Sequence, residues 1–191
     1  MASGDSLTLV RMTRQFSPQR LDVLAFAEDA AELSGTMPVA SLQRLAAEAR
    51  GSIDGREVTW SAQGELLNPA HVQPEVWLHL QAETMLPMTC QRCLEPVEVP
   101  LEVDRAFRFV ADEATAAAED DEAEEDLLAM DRAFDLSGLV EDELLMEVPV
   151  VPRHDVCPHA VPLSASDPGF EEAAPPVHPF AVLKTLKDGG S

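Results

Sequence analysis

Val76-Trp77-Leu78-His79-Leu80-Gln81-Ala82-Glu83-Thr84 and, beyond Cys90-Gln91-Arg92-Cys93, Val97-Glu98-Val99-Pro100-Leu101-Glu102-Val103-Asp104-Arg105-Ala106-Phe107-Arg108-Phe109 are the stretches that decide the fold. In the first, Val76, Leu78, Leu80 and Ala82 alternate with Trp77, His79, Gln81 and Glu83, the period of a strand with one buried face. His79 falls on the polar side and reads as an exposed residue. In the second, Val97, Val99, Leu101, Val103, Phe107 and Phe109 keep the same period and Arg105 breaks it, which predicts a long strand that bends or changes surroundings there. Two such strands around a short polar segment predict a hairpin at the centre of an antiparallel sheet, with the two cysteines at its turn.

Two thiols three residues apart can bind one ion or form one disulfide, and a hairpin turn is where a zinc knuckle belongs. A knuckle supplies two of four ligands. His154-Asp155-Val156-Cys157 repeats the two-residue gap, so the candidate set is Cys90, Cys93, Cys157 and His154, with His159 as a substitute for His154. Three free thiols in a reducing compartment with exposed histidines are the alternative. Three cysteines leave one over in any disulfide framework. A redox pair would sit at the start of a helix in a βαβ unit, where the helix N-terminus lowers a thiol pKa, and the sequence shows no such unit. A CxxC thiol oxidoreductase is therefore the outsider among the functional readings.

Outward from the hairpin, Val39, Leu42, Leu45, Ala46 and Ala49 recur at helical spacing behind Pro38, predicting a helix of about three turns. Asp54-Gly55 separates Arg50–Ile53 from Arg56–Ala62 and predicts a tight hairpin. On the other side, Asp135 can cap a helix with Leu136, Leu139, Val140, Leu144 and Val148 on its buried face, Glu141, Asp142 and Glu143 outside, and Pro149 and Pro152 beyond its end. Residues 112–126 carry nine carboxylates among small residues and read as a disordered acidic loop. The expected fold is α+β: a central antiparallel β-sheet with a few flanking helices, residues 1–160 as one domain, 161–178 as a linker, and 179–187 as a short amphipathic helix. That helix is too short to stand alone, so Phe180 and Leu183 must dock on the protein's own sheet or on a partner's groove.

A chain of 191 residues, 46% hydrophobic, is long enough for one core. No stretch approaches the roughly 20 apolar residues of a membrane span, and the first residues lack a basic region before an apolar run, so a soluble, cytoplasmic protein is expected. With 35 acidic against 13 basic side chains the net charge is −22, which weighs against gripping nucleic acid by phosphate neutralisation. There is no Gly-rich phosphate loop, nucleophile elbow or HExxH, so neither an enzyme nor a small-molecule substrate is expected.

Three stretches converge on one family. Cys90-Gln91-Arg92-Cys93, then Leu139-Val140-Glu141-Asp142-Glu143-Leu144-Leu145 running into Val148-Pro149-Val150-Val151-Pro152 and His154-Asp155, then Pro179-Phe180-Ala181-Val182-Leu183 with Leu186-Lys187, resemble in order and spacing the bacterial YceD proteins, named for large ribosomal RNA subunit accumulation. A weaker likeness reaches Arg20-Leu21-Asp22. The resemblance implies a non-enzymatic role in the synthesis, processing or stability of 23S rRNA. In that family a second cysteine-bearing cluster often follows the late helix; here it is reduced to Cys157 with His154 and His159.

Within that role two modes compete. In one, the protein touches precursor 23S rRNA through Arg92, Arg105 and Arg108, with the knuckle holding the loop in shape. In the other, the acidic body binds a basic ribosomal protein or assembly factor of the large subunit. The charge balance favours the second. A zinc-knuckle interaction module serving some other process is the alternative function.

Overall fold

The computed structural model describes residues 14–72 and 74–159. The chain divides into two units, 1–157 and 158–191, and of the second only Pro158 and His159 are described. The 161–178 linker and the 179–187 helix, with Phe180 and Leu183, lie outside the described residues.

The first unit is α+β. Strands β1 (Glu32–Pro38), β2 (Glu57–Leu67), β3 (Glu75–Thr89), β4 (Pro96–Val110) and β5 (Asp126–Ala129) form one five-stranded sheet in the order β1-β2-β3-β4-β5. The first four are antiparallel and β5 runs parallel to β4, so the sheet is mixed at that edge. The central hairpin is as the alternation predicts, its register unbroken from Val76 opposite Phe109 to Thr89 opposite Pro96.

Helices α1 (Val23–Glu28), α2 (Gln43–Glu48) and α4 (Leu136–Met146) share one core with the inward face of the sheet. Phe26, Leu45, Leu136 and Leu144 meet Leu78, Leu80, Leu101 and Phe107 there, all nearly inaccessible to water. Asp135 caps α4 as expected, its carboxylate accepting from the Gly138 N–H at 3.1 Å. Gly64 lets α1 sit close: a Cβ at that position would lie 2.7 Å from the Phe26 ring and 2.8 Å from its backbone.

Several expectations are corrected. Of the two outcomes expected at Arg105 it is the change of surroundings that occurs: the register of β4 runs unbroken and Arg105 occupies an inward position opposite Leu80. There an arginine is tolerated because carboxylates meet it. The helix expected from Pro38 is two pieces, a 3-10 turn Val39–Ser41 and α2, because Leu42 leaves helical backbone geometry at φ −93° and ψ 88°. Asp54-Gly55 does turn, with Gly55 at φ +69°, but it links α2 to β2; the strand paired with β2 is β1. The acidic stretch 112–126 is not featureless. It carries α3 (Glu113–Glu119), capped by the Asp112 carboxylate at 2.8 Å from the Thr115 N–H, and its last residue opens β5. β4, α3 and β5 thus make a βαβ crossover, whose helix starts far along β4 from the cysteines. No described helix is long and apolar enough to cross a membrane.

Candidate metal centre

The hairpin turn is closed by two backbone hydrogen bonds, Leu94 N–H to Cys90 O at 2.8 Å and Cys90 N–H to Glu95 O at 2.9 Å. Leu94 takes a left-handed backbone at φ +63°, a conformation that costs a branched residue about 1 kcal/mol or more. The segment after α4 returns to this turn. Gln91 N–H donates to Pro152 O at 2.8 Å, and Pro152 is buried between them.

Those contacts bring four donors together. One ligand atom from each of Cys90, Cys93, His154 and Cys157 lies within 4.8 Å of every other, with Cys93 Sγ 3.4 Å from His154 Nδ1. A Cys₃His set of that size can hold one metal ion. The histidine in the group is His154; His159 is exposed and belongs to the unit beginning at Pro158.

The surroundings suit a metal. His154 Nε2 lies 3.0 Å from Pro96 O, and a carbonyl only accepts, so Nε2 carries the proton and the Nδ1 lone pair faces the thiols. Burial raises the Cys90 thiol, but the backbone N–H groups of Cys93, His154 and Arg92, with the Cys93 side chain, outweigh it and bring the pKa to about 5. Cys93 is pushed up, first by burial and then by the neighbouring Cys90 and Cys157 sulfurs, against the Glu95 N–H. One thiolate is thus preformed. A bound cation would favour ionised sulfurs and so oppose the upward push on Cys93.

The structure separates the three arginines assigned to partner binding. Arg92 is exposed on the knuckle. Arg105 is taken up by Asp126 and by Glu143, whose Oε2 is 3.4 Å away. Arg108 is paired with Glu119 of α3 and with Glu125. Two of the three are therefore holding β5 and α3 onto the sheet. Glu143, expected on the outside of α4, is buried on the Arg105 side, and burial first, then Asp126, Asp142 and Glu147, raises its pKa against the pull of Arg105. Glu141 also does structural work: it accepts from the Arg44 N–H at 2.7 Å and from the Arg44 guanidinium, tying α4 to the start of α2. The signal that could have revealed the buried Glu143 is the lone Arg105 at an apolar position of β4.

The other face of the sheet is polar and acidic. Glu57, Glu83, Glu102 and Asp104 point outward from β2, β3 and β4. Glu83 stands directly opposite Glu102, and neither forms an ion pair among the described residues. Like charges opposite one another in a sheet cost stability.

Residues 78–187 match the family described as large ribosomal RNA subunit accumulation protein YceD. A protein of that name from Haemophilus influenzae is 30% identical over 178 residues, covering 89% of this chain and 95% of the relative. No solved structure matches the chain.

Proposed function

The chain belongs to the YceD family, and on that premise we propose that it is a binding protein, not a catalyst, that promotes accumulation of 23S rRNA by engaging a basic protein of the large ribosomal subunit or its assembly machinery. The uncovered sheet face carries this reading. Helices α1, α2 and α4 pack on the opposite side, which leaves Glu57, Glu83, Glu102 and Asp104 as an uncompensated negative surface across three strands. A lysine- and arginine-rich partner would relieve the Glu83–Glu102 repulsion, and the opposite charges would speed its capture. Contact with RNA through Arg105 and Arg108 is disfavoured, since both are already neutralised by carboxylates.

The Cys90, Cys93, His154 and Cys157 set favours zinc, because three soft thiolates and an imidazole in a small closed group are the donors of a structural zinc site. Zinc would pin the segment after α4 to the hairpin turn.

Binding to purified basic large-subunit proteins and to naked 23S precursor, at the same physiological ionic strength, tests the partner class. Binding to one or more of the proteins is expected to be tighter than binding to the RNA, and to weaken at least about tenfold in Glu83→Lys/Glu102→Lys, since each reversal trades an attraction for a repulsion at the contact. Submicromolar binding to the RNA with none to the proteins would sink the acidic-face reading.

A further inference from the structure

The arginines left over by the acidic surface point to a second site. Of the described arginines, five pair with carboxylates: Arg14, Arg44, Arg56, Arg105 and Arg108. Arg20 and Arg132 form no ion pair among the described residues, although acids outnumber bases nearly threefold in the chain. They are remote in sequence, and the fold brings them together. Leu21 and Phe134 pair as an isolated bridge, with Leu21 N–H to Phe134 O at 2.8 Å and Phe134 N–H to Leu21 O at 3.0 Å. Each arginine lies one or two residues from that bridge, and both line an open concavity of about 720 Å³, joined by Arg14.

Three carboxylates also line the concavity and keep their charge, but none of them pairs with Arg20 or Arg132. Asp22 caps α1 through the Ala25 N–H at 3.1 Å, Asp131 accepts from the Ala133 N–H at 2.9 Å, and Glu28 pairs with Arg14. Phe16, Leu24 and Met130, all half-buried, supply apolar surface beside the guanidinium groups. The Phe16 ring is fixed edge-on to Phe26, centroids 5.1 Å apart. Two unpaired guanidiniums beside a held aromatic ring are the elements of a single-stranded RNA contact: cations for successive phosphates and a π-face for a base.

We propose that the Arg20–Arg132 concavity binds the phosphodiester backbone of single-stranded RNA, with Phe16 against a base. The proposal rests on the ribosomal-RNA role of the family. It places RNA contact away from the acidic sheet face, so one molecule can hold a basic protein and touch RNA at once.

The test is fluorescence anisotropy with a short labelled single-stranded RNA and the full chain at low ionic strength, comparing Arg20→Gln/Arg132→Gln with Arg50→Gln/Arg153→Gln, which removes equal charge from other exposed positions. The concavity variant is expected to lose about tenfold or more in affinity, and the slope of log K against log salt to shrink by about 1.4, two contacts at about 0.7 each. The control should change less than about twofold. The single variant Arg132→Gln, expected to give about half the slope change, stands in should the double variant melt early. Equal losses in both double variants, no loss in the first, or no RNA binding by the parent would overturn the proposal. So would displacement of the RNA by inorganic phosphate at matched phosphate concentration, since the site would then be one for a free anion. Binding of a basic large-subunit protein, read on the same samples, separates failure of this site from failure of the acidic face.

Discussion

If Cys90, Cys93, His154 and Cys157 hold zinc, as proposed, chelation should open the segment after α4 and expose Arg153 to trypsin. Without an ion, two hydrogen bonds hold that segment to the hairpin: Gln91 N–H to Pro152 O at 2.8 Å and His154 Nε2–H to Pro96 O at 3.0 Å. At about 1 kcal/mol net each they supply about 2 kcal/mol, so the segment would be open roughly 3% of the time. Arg153 is already exposed, and a protease needs only that local opening to seat the backbone around it. Zinc binds small Cys/His peptides with about 10–16 kcal/mol, and if only about 4 kcal/mol of that favoured the closed segment, opening would become about a thousandfold rarer. The assay is limited trypsin digestion of the full chain purified without chelator, followed by mass spectrometry, with and without prior chelation. Cleavage after Arg153 should accelerate at least about a hundredfold on chelation, and Cys157→Ser should reproduce the fast rate in the presence of zinc. Equal cleavage rates in all three samples, with less than a stoichiometric amount of metal in the parent, would refute the metal centre.

Other outcomes follow from the core. Gly64→Ala places a methyl 2.7–2.8 Å from the Phe26 ring and backbone, and the backbone cannot rotate away. Overpacking of this kind costs about 1–3 kcal/mol, so Tm should fall by about 2–12 °C in a thermal melt, and an unchanged Tm would mean that α1 is not seated on β2. For Glu143 the folded pKa is raised above the unfolded value, chiefly by burial, so its protonation stabilises the fold. That contribution is complete below the unfolded pKa and is lost as pH rises through the folded one. Glu143→Gln should therefore gain on the parent in denaturant midpoint as pH rises from about 4 to about 7, while Arg105 keeps Asp126; parallel pH profiles would show that Glu143 is not buried as described. Cys90→Ser should lower Tm even without zinc, because Cys90 is wholly buried and a hydroxyl there would have to find new partners; a parent-like melt would show that the site tolerates it.

The central hairpin was legible because each of its strands buries one face, so a period of two runs through both. Helix α4 was legible for a similar reason, with a capping Asp135 ahead of an apolar stripe. The four donors could be named from spacing, but not the choice of His154 over His159, which depends on how the chain folds back through Pro152. Strand β1, Glu-Leu-Ser-Gly-Thr-Met-Pro, left only a weak trace: its burial alternates, but as an edge strand none of its residues is fully buried, and one of its three inward positions is Gly35, which has no side chain to signal the period. Asp54-Gly55 misled because a turn sequence fixes the local backbone and not what the chain on either side pairs with. In the acidic stretch Arg108 of β4 pairs with Glu119 of α3 and with Glu125, a long-range contact that composition does not record.

The same gap between composition and fold decides how the charge should be read. A net charge of −22 says that an arginine placed at random will meet a carboxylate, and in the described residues half of them do. Arg44, Arg105 and Arg108 are therefore uninformative about partners: the first ties α4 to α2, and the other two hold β5 and α3 to the sheet. What carries information is where unpaired charges are gathered together. Glu83 and Glu102 face each other with no cation between them, and Arg20 and Arg132 share a concavity whose acids are turned to other donors. Both arrangements leave a charge that a ligand of opposite sign would neutralise, and they lie on different parts of the molecule. On the proposed reading the two surfaces would let one molecule hold a basic chain and an RNA strand together, because each offers the charge that the other partner repels.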